Sequence, residues 1–253
     1  MQVQIRYLDH SGFRVDTEQF ILVFDWYSDP AAVMQGSFED QRPLFFFTSH
    51  SHYDHWNDEI LTYPHGGPVY YYLDSSCEER VRASRVTLTP NRQIIYIQPQ
   101  KCYELTGLGD ETAQLMTFPS TDEGVAFLLQ CGELSIYHAG DLNCWDWQDE
   151  NSEAVRYAYT QILSQIKASL PGKAEAEPTL AFVPLDARLG DMAYDGCLLF
   201  LQQMHPRFLV PMHLNGGERL PSQLEARLAG DPAQRGTMLL AMIEPGEPAV
   251  FEL

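Results

Sequence analysis

Short apolar runs separated by turn residues dominate the first half of the chain. Residues 3–8, 13–16 and 20–24 are apolar or alternating, with Ser11-Gly12 and Thr17-Glu18 between them. This pattern predicts a meander of antiparallel strands. Residues 44–47 are continuously apolar, as expected of a strand buried on both faces. Further strands are predicted at residues 69–72, 94–97, 114–118, 125–129 and 134–138.

The apolar spacing becomes helical in the second half. Val155, Tyr159, Ile162 and Ile166 recur at helical spacing and predict an amphipathic helix over residues 152–169. Strands and helices then alternate: strands at 180–183 and 208–210, a helix capped by Asp191 that carries Tyr194, Leu198, Leu201 and Met204, a short helix at Leu224 and Leu228, and a closing strand at 238–243. The whole pattern predicts an α/β (α+β) fold over residues 1–253, in which two sheets pack together as a single domain with helices outside.

The charge balance narrows the classes of partner. Among 253 residues, 16 Lys+Arg face 35 Asp+Glu, which gives a formal net charge of −19. A protein that binds phosphate groups nonspecifically needs a positive surface potential, so neither nucleic acid nor an anionic membrane is expected as a partner. The chain starts without a signal-peptide pattern, lacks a run of about 20 apolar residues and has five cysteines without a Cys-x-x-Cys pair. A cytoplasmic location is therefore expected.

The clearest chemical motif follows the apolar run at 44–47. Residues 48–55 read Thr-Ser-His-Ser-His-Tyr-Asp-His, which is an H-x-H-x-D-H pattern. In an extended chain, residues two apart point to the same side, so His50, His52 and Asp54 are expected to converge while His55 faces the other way. Four such ligands within six positions suit two metal ions. Imidazole and carboxylate favour zinc, with manganese and iron as alternatives.

This motif resembles the metal-binding signature of the metallo-β-lactamase superfamily, whose fold is a four-layer αββα sandwich. Other positions fit the same pattern in order. Asp25 is similar to an aspartate that braces the metal loop, Asp141 to the aspartate that bridges two metals, and His213 to the histidine that completes the second site. Residues 9–13, Asp-His-Ser-Gly-Phe, resemble the opening of the lactonase-like branch, which contains ascorbate-6-phosphate lactonase.

One ligand of the family pattern is missing. Ser120 stands where the resemblance places a histidine. The second site keeps Asp54, His55, His213 and Asp141. The first keeps only His50, His52 and Asp141, unless Ser120, Asp122 or water completes it. One or two divalent ions are therefore expected, with a weakened first metal or an altered metal preference.

The resemblance implies a metal-dependent hydrolase that uses a metal-bound hydroxide on a small ester, lactone or phosphodiester, with Asp54 as the catalytic residue that orients the nucleophile and passes a proton. The alternative is a noncatalytic descendant that binds metal or a ligand through a degenerate first site. A third hypothesis is that the protein is a metal-dependent oxidoreductase. The partner is expected to be a small-molecule substrate. The sequence does not specify its identity, the substrate-binding residues or the oligomeric state.

Several other polar or aromatic residues have two readings each. His10 either lines the pocket or is a hydrogen-bonded core histidine. Trp145 and Trp147 follow Asp141 and either wall the pocket or pack elsewhere. Arg188 either meets an anionic substrate or pairs with Asp186 or Asp191.

Overall fold

Two mixed sheets of seven strands each form the centre of the computed structural model, which describes residues 1–107, 113–170, 177–229 and 236–253. The first sheet has the order β14-β1-β2-β3-β4-β5-β6 and the second the order β13-β12-β11-β10-β9-β8-β7. The strands of the first sheet are β1 (Gln2–Asp9), β2 (Gly12–Thr17), β3 (Ile21–Phe24), β4 (Leu44–Thr48), β5 (Val69–Asp74), β6 (Arg92–Ile97) and β14 (Pro248–Glu252). Those of the second are β7 (Lys101–Leu105), β8 (Ala113–Pro119), β9 (Val125–Cys131), β10 (Leu134–His138), β11 (Leu180–Pro184), β12 (Phe208–Met212) and β13 (Met238–Leu239).

The apolar residues of β3 and β4 are divided between two cores. Phe24 and Phe47 point into the large core between the sheets, where both rings lie about 6 Å from Phe127 of the second sheet. Val23 and Phe46 point to the opposite face and pack in a smaller outer core. Because side chains alternate along a strand, a strand buried on both faces must be apolar throughout, which explains the uninterrupted run at 44–47.

Helices cover the outer faces of both sheets. The α-helices are α1 (Glu78–Ser84), α2 (Ser152–Ser169), α3 (Asp195–Gln203) and α4 (Leu220–Leu228). Tyr159 and Ile166 of α2 are fully buried, as the helical spacing predicts, and α2 packs beside α3 on the second sheet. The outer face of the first sheet is covered by residues 56–63 and Cys77. The predicted two-sheet architecture with outer helices is therefore confirmed. No described helix has both the length and the apolar character needed to cross a membrane.

Two local predictions were wrong, and three elements were not predicted. Asp191 does not cap a helix: it lies within a 3-10 segment, Ala187–Tyr194, whose N-cap is Asp186, and α3 begins only at Asp195. The predicted strand at 238–243 is two residues long, because the chain turns after Leu240, where the Met242 N–H donates back to the Leu240 carbonyl. The strand that closes the first sheet is instead β14, paired antiparallel with β1. The helix α1 and the edge strand β7 were not predicted; α1 buries no residue, and β7 is mostly exposed.

Candidate metal centre

The predicted ligands lie where parallel strands of both sheets end. Strands β3, β4 and β5 run parallel in one sheet, and β10, β11 and β12 run parallel in the other. Because side chains that follow the carboxyl ends of parallel strands meet at one edge, such edges commonly carry the functional site. The backbone N–H of Val125 donates to the Ser49 carbonyl, which joins the two sheets directly beside the motif.

Residues 50–55 form bends and turns rather than an extended strand. The expectation that His50, His52 and Asp54 share one side is therefore wrong, because alternation holds only in extended backbone. The turn instead divides the motif after His52, so that Asp54 groups with His55.

One group of potential ligands comprises His10, Asp54, His55 and His213, each of which offers an atom within 4.8 Å of all the others. His10 and His213 are brought together by backbone: the His213 N–H donates to the His10 carbonyl over 3.0 Å. Both residues have a positive φ, 54° and 59°, which is uncommon outside glycine and typical of functional sites. His10 was left undecided by the sequence, and the structure places it in this group.

A second group comprises His50, His52 and Asp141, again with atoms within 4.8 Å of one another. The His50 Nε2 atom lies 3.0 Å from Nδ1 of His52 and 3.4 Å from Oδ2 of Asp141. His50 and Asp141 are buried, whereas His52 is exposed. Three donors are fewer than the four that zinc ordinarily takes.

Asp141 lies between the two groups. Its Oδ2 atom faces His50, while its Oδ1 atom lies 3.1 Å from Nε2 of His55. The same Oδ1 atom lies 3.4 Å from Nε2 of His213. One carboxylate therefore faces both groups, which is the arrangement expected of a residue shared by two cations.

The donor atoms that meet here form no hydrogen bond of good geometry within the described chain, although Nε2 of His55 and Nε2 of His213 lie 3.1 and 3.4 Å from Oδ1 of Asp141. They are Nε2 of His10, Nε2 of His55, Nε2 of His213 and Oδ1 of Asp141. Burying a polar atom without a partner costs about 1–3 kcal/mol, so four such atoms at one place require a compensating ligand. Imidazole nitrogen and carboxylate oxygen are ligands that zinc, manganese and iron accept, and these residues therefore fit a divalent cation.

Outer carboxylates hold two of the rings in place. Asp25 is fully buried; one of its oxygens lies 2.8 Å from Nδ1 of His55, and the other accepts from the Ser49 N–H over 2.7 Å. Asp186 lies 2.9 Å from Nδ1 of His213. In both rings the carboxylate contacts Nδ1, the outer nitrogen, which faces away from the site. This contact fixes the ring and leaves Nε2, the inner nitrogen, free to bind a metal. This geometry suits the bracing role expected of Asp25.

Burial and neighbouring charges shift the pKa values of the histidines in different directions. Burial lowers the pKa of His50 to about 4 and that of His10 to about 3, because desolvation disfavours the charged imidazolium. Both rings are therefore neutral at pH 7, which is the form that binds a metal. Burial also acts to lower the pKa of His55, but the carboxylates of Asp25 and Asp141 outweigh it and raise that pKa well above its ordinary value.

Residues 4–155, more than half of the chain, match the family described as Beta-lactamase superfamily domain. The chain belongs to this superfamily. No curated protein matches it in sequence.

Solved structures share the fold at low sequence identity. Igni18, a metallo hydrolase from the archaeon Ignicoccus hospitalis, is 18% identical with a TM-score of 0.67, and the match covers 100% of both chains. Zn²⁺-bound PqqB from Methylobacterium extorquens is 13% identical with a TM-score of 0.61, again over 100% of both chains. CmlA, a diiron β-hydroxylase from Streptomyces venezuelae, is 11% identical with a TM-score of 0.60; the match covers 99% of this chain and 54% of CmlA.

Ser120 and Asp122 were suggested as replacement ligands. Neither belongs to the two groups of potential ligands among the described residues. The Ser120 hydroxyl accepts from the Asp122 N–H over 3.1 Å, and Asp122 is exposed. The expectation that one of them completes the first site stays a prediction: Asp122 joins neither group, but it lies close enough to the site that burial and the Asp141 carboxylate raise its pKa. The carboxylate that contacts the motif is the next residue, Glu123, whose Oε2 lies 3.3 Å from Nε2 of His52. Its position beside Ser120 and Asp122 was the only sequence signal for it.

Aromatic residues and a paired arginine border the site. Trp145 donates its indole N–H to the Asp141 carbonyl over 2.8 Å, and its ring lies 5.6 Å from that of His213. Trp147 stacks on Trp145 and is half exposed, so the two tryptophans line one side of the candidate metal centre. Arg188 contacts both carboxylate oxygens of Asp186, which confirms the salt-bridge reading for that arginine.

Proposed function

We propose that the protein is a metal-dependent hydrolase that acts on a small ester, lactone or phosphodiester. The observation that supports this proposal is the convergence of four buried donor atoms that form no hydrogen bond of good geometry, three imidazole nitrogens and one Asp141 oxygen, at the shared edge of both sheets. Superfamily membership and the names of neighbours such as the metallo hydrolase Igni18 point the same way.

We propose that two groups of side chains hold the cations. His50, His52 and Asp141 would hold one ion; Asp54, His55, His213 and the shared Asp141, with His10 nearby, would hold the other. Zinc suits the donor set best, and manganese or iron suits it next. A divalent cation at this position would polarise the substrate oxygen and activate water.

Asp54 is proposed as the catalytic residue. Its side chain is 24% exposed, unlike Asp141, so a substrate can reach it. In hydrolysis, the oxygen of water bonds to the carbonyl carbon or phosphorus, the bond to the leaving oxygen breaks, and a proton from water moves to that oxygen. A carboxylate at the open side of the site can accept this proton and then donate it.

The lactonase-like branch remains part of the proposal. Its support is residues 9–13, whose turn carries His10 into the second group and whose Ser11 carbonyl contacts Nε2 of His138 over 2.9 Å. The segment that resembles the branch thus contributes directly to the site.

A noncatalytic metal- or ligand-binding protein is the second candidate. It is favoured by the first group, in which only three donors converge among the described residues and one of them, His52, is exposed. Oxidoreductase chemistry is the third, since CmlA shares the fold and is a diiron hydroxylase; fold does not determine reaction.

Metal analysis and a hydrolase panel test the proposal. Protein purified without chelator should contain a transition metal or take one up, and should hydrolyse at least one ester, lactone or phosphodiester with zinc, manganese or iron. Asp54→Asn should reduce turnover at least about 100-fold, the scale of general acid–base catalysis. Glu153→Gln, at an exposed carboxylate at the start of α2, is the control and should leave turnover within about threefold.

Failure to bind any of the three metals would overturn the hydrolase proposal. Metal binding with no activity across the panel would favour the noncatalytic candidate. Iron-dependent oxygen uptake would favour the oxidoreductase.

A further inference from the structure

A cavity of about 390 Å³ opens beside the second group of ligands. Its polar lining comes from Tyr7, Asp9, His10, Tyr27, Asn215 and Glu218. We call this cavity the Asp9–Glu218 pocket. It is formed by the turn after β1, the residues after β3, the loop after β12 and residues 243–245; the first and third of these segments also supply His10 and His213 to the site.

The pocket is continuous with the candidate metal centre through His10. The His10 ring lines the pocket, lies 3.9 Å from the ring of His213 and places its Nε2 atom 3.6 Å from Oδ2 of Asp54. A substrate whose scissile bond lies at Asp54 therefore has room to extend a short group into the pocket.

The charge of the lining is negative. Asp9 and Glu218 contribute carboxylates, and among the described residues no Lys or Arg lines the pocket. Arg188, in the neighbouring segment, is paired with Asp186, which offsets its charge. A phosphate or carboxylate group would meet repulsion here, whereas a cation would meet attraction.

Aromatic rings complete the lining. The Tyr27 hydroxyl donates to Oδ2 of Asp9 over 3.2 Å, and burial together with Asp9 raises the pKa of Tyr27 to about 12. The phenol is therefore neutral at pH 7, and so is the buried Tyr7, whose pKa burial also raises. Carboxylates beside neutral aromatic rings are the combination that recognises ammonium groups in proteins.

We propose that the Asp9–Glu218 pocket binds a positively charged ammonium group of the substrate, so that the enzyme selects cationic over anionic esters. This inference rests on the proposed hydrolase function for its catalytic consequence, but the binding of a cation does not. Selection arises from attraction to Asp9 and Glu218 and from the repulsion of anionic groups by the same carboxylates.

A binding experiment tests the pocket without catalysis. Choline and its uncharged isostere 3,3-dimethylbutan-1-ol are titrated into the purified protein by calorimetry. Choline should bind at least about tenfold more tightly. Glu218→Gln and Asp9→Asn should each weaken choline binding about threefold, the effect of one unit charge about 6 Å away in a water-like dielectric, and the double variant about tenfold.

The control is Glu153→Gln, which makes the same change at an exposed carboxylate at the start of α2. It should leave choline binding unchanged, and binding of the isostere should be unchanged in every variant. Equal affinity for choline and its isostere, or equal loss in Glu153→Gln, would overturn the proposal. If Asp9→Asn fails to fold because its contact with Tyr27 is altered, Glu218→Gln, at an exposed residue, still decides the result.

A second arm measures hydrolysis by the metal-loaded protein. The substrates are acetylthiocholine, the neutral 3,3-dimethylbutyl thioacetate and an anionic S-(3-carboxypropyl) thioacetate. In each case, water adds to the thioester carbonyl carbon, the C–S bond breaks, and acetic acid and the thiol leave. The KM should rise from the cationic to the anionic substrate by at least about tenfold, and Glu218→Gln should reduce that ratio with kcat nearly unchanged.

The two arms separate the two proposals. Charge-selective choline binding without hydrolysis of any ester, lactone or phosphodiester of the panel would remove the hydrolase proposal and retain the cation pocket. Hydrolysis without charge preference, together with unselective binding, would retain the hydrolase and overturn the pocket.

Discussion

The Oε2 atom of Glu123 lies 3.3 Å from Nε2 of His52, while the other ring nitrogen of His52 faces His50 over 3.0 Å. The same arrangement recurs at the other rings of the motif: Asp25 holds the outer nitrogen of His55, and the Ser49 hydroxyl lies 3.0 Å from Nδ1 of His50. Glu123 is thus the outer carboxylate of the exposed histidine.

Glu123→Gln should therefore weaken metal binding at the first group. The amide keeps the shape but loses the negative charge that orients His52. Loss of such an outer partner typically costs 10–100-fold in metal affinity; because the Glu123 and His52 side chains are 55% and 48% exposed, about tenfold is expected. Competition with a chromophoric chelator measures it.

Asp122→Asn is the matched control for Glu123, since it removes a neighbouring carboxylate that joins neither ligand group. Its metal affinity should stay within about twofold of the parent protein. An equal loss in both variants would mean that general loop charge, and not the contact with His52, sets the affinity.

Asp25→Asn should destabilise the metal-free protein by about 3 kcal/mol, because it removes one partner of a buried charged pair with His55. Urea unfolding at pH 7 measures the change in the free energy of unfolding. Asp40→Asn, at the partly exposed pair with Arg42, should cost less than about 1 kcal/mol. Equal losses in the two variants would contradict the bracing role of Asp25.

Asp141→Asn should weaken binding of both cations, since the Asp141 carboxylate faces both groups. Asp54→Asn should weaken only the ion held with His55 and His213. Titration of each variant with zinc, followed by elemental analysis after gel filtration, gives the stoichiometry. One retained ion in Asp141→Asn and none in Asp54→Asn would reverse the assignment of the shared ligand.

Gly124→Ala should destabilise the protein by more than about 3 kcal/mol. Gly124 has φ of +71°, and a Cβ there would lie 2.0 Å from the Ser49 carbonyl oxygen and 2.6 Å from Cβ of His50. The substitution should also lower metal affinity, because His50 must shift.

Gly190→Ala is the control for Gly124, since Gly190 also has a positive φ but its added Cβ meets nothing within 4 Å. It should cost only the strain of a sparsely populated backbone conformation, about 1–3 kcal/mol, with metal affinity unchanged. Thermal unfolding and chelator competition of both variants separate the steric contribution from the conformational one.

Much of the sheet architecture could be predicted from apolar patterning. The strand at residues 44–47 and the helix at residues 152–169 bury whole faces, and burial leaves a periodic signal. The helix α1 and the edge strand β7 could not be predicted in this way. They bury little, so neither element carries a periodic pattern.

The sequence by itself determined the ligand types, the fold and the order of candidate residues, since these follow from local patterning and from a motif within six positions. Only the tertiary structure decided which ligands share a group. His10 meets His213, and His52 meets Glu123, through contacts between segments far apart in the chain. Such contacts depend on how the two sheets pack face to face so that their strand ends meet, and that geometry leaves no periodic pattern in the sequence of either segment.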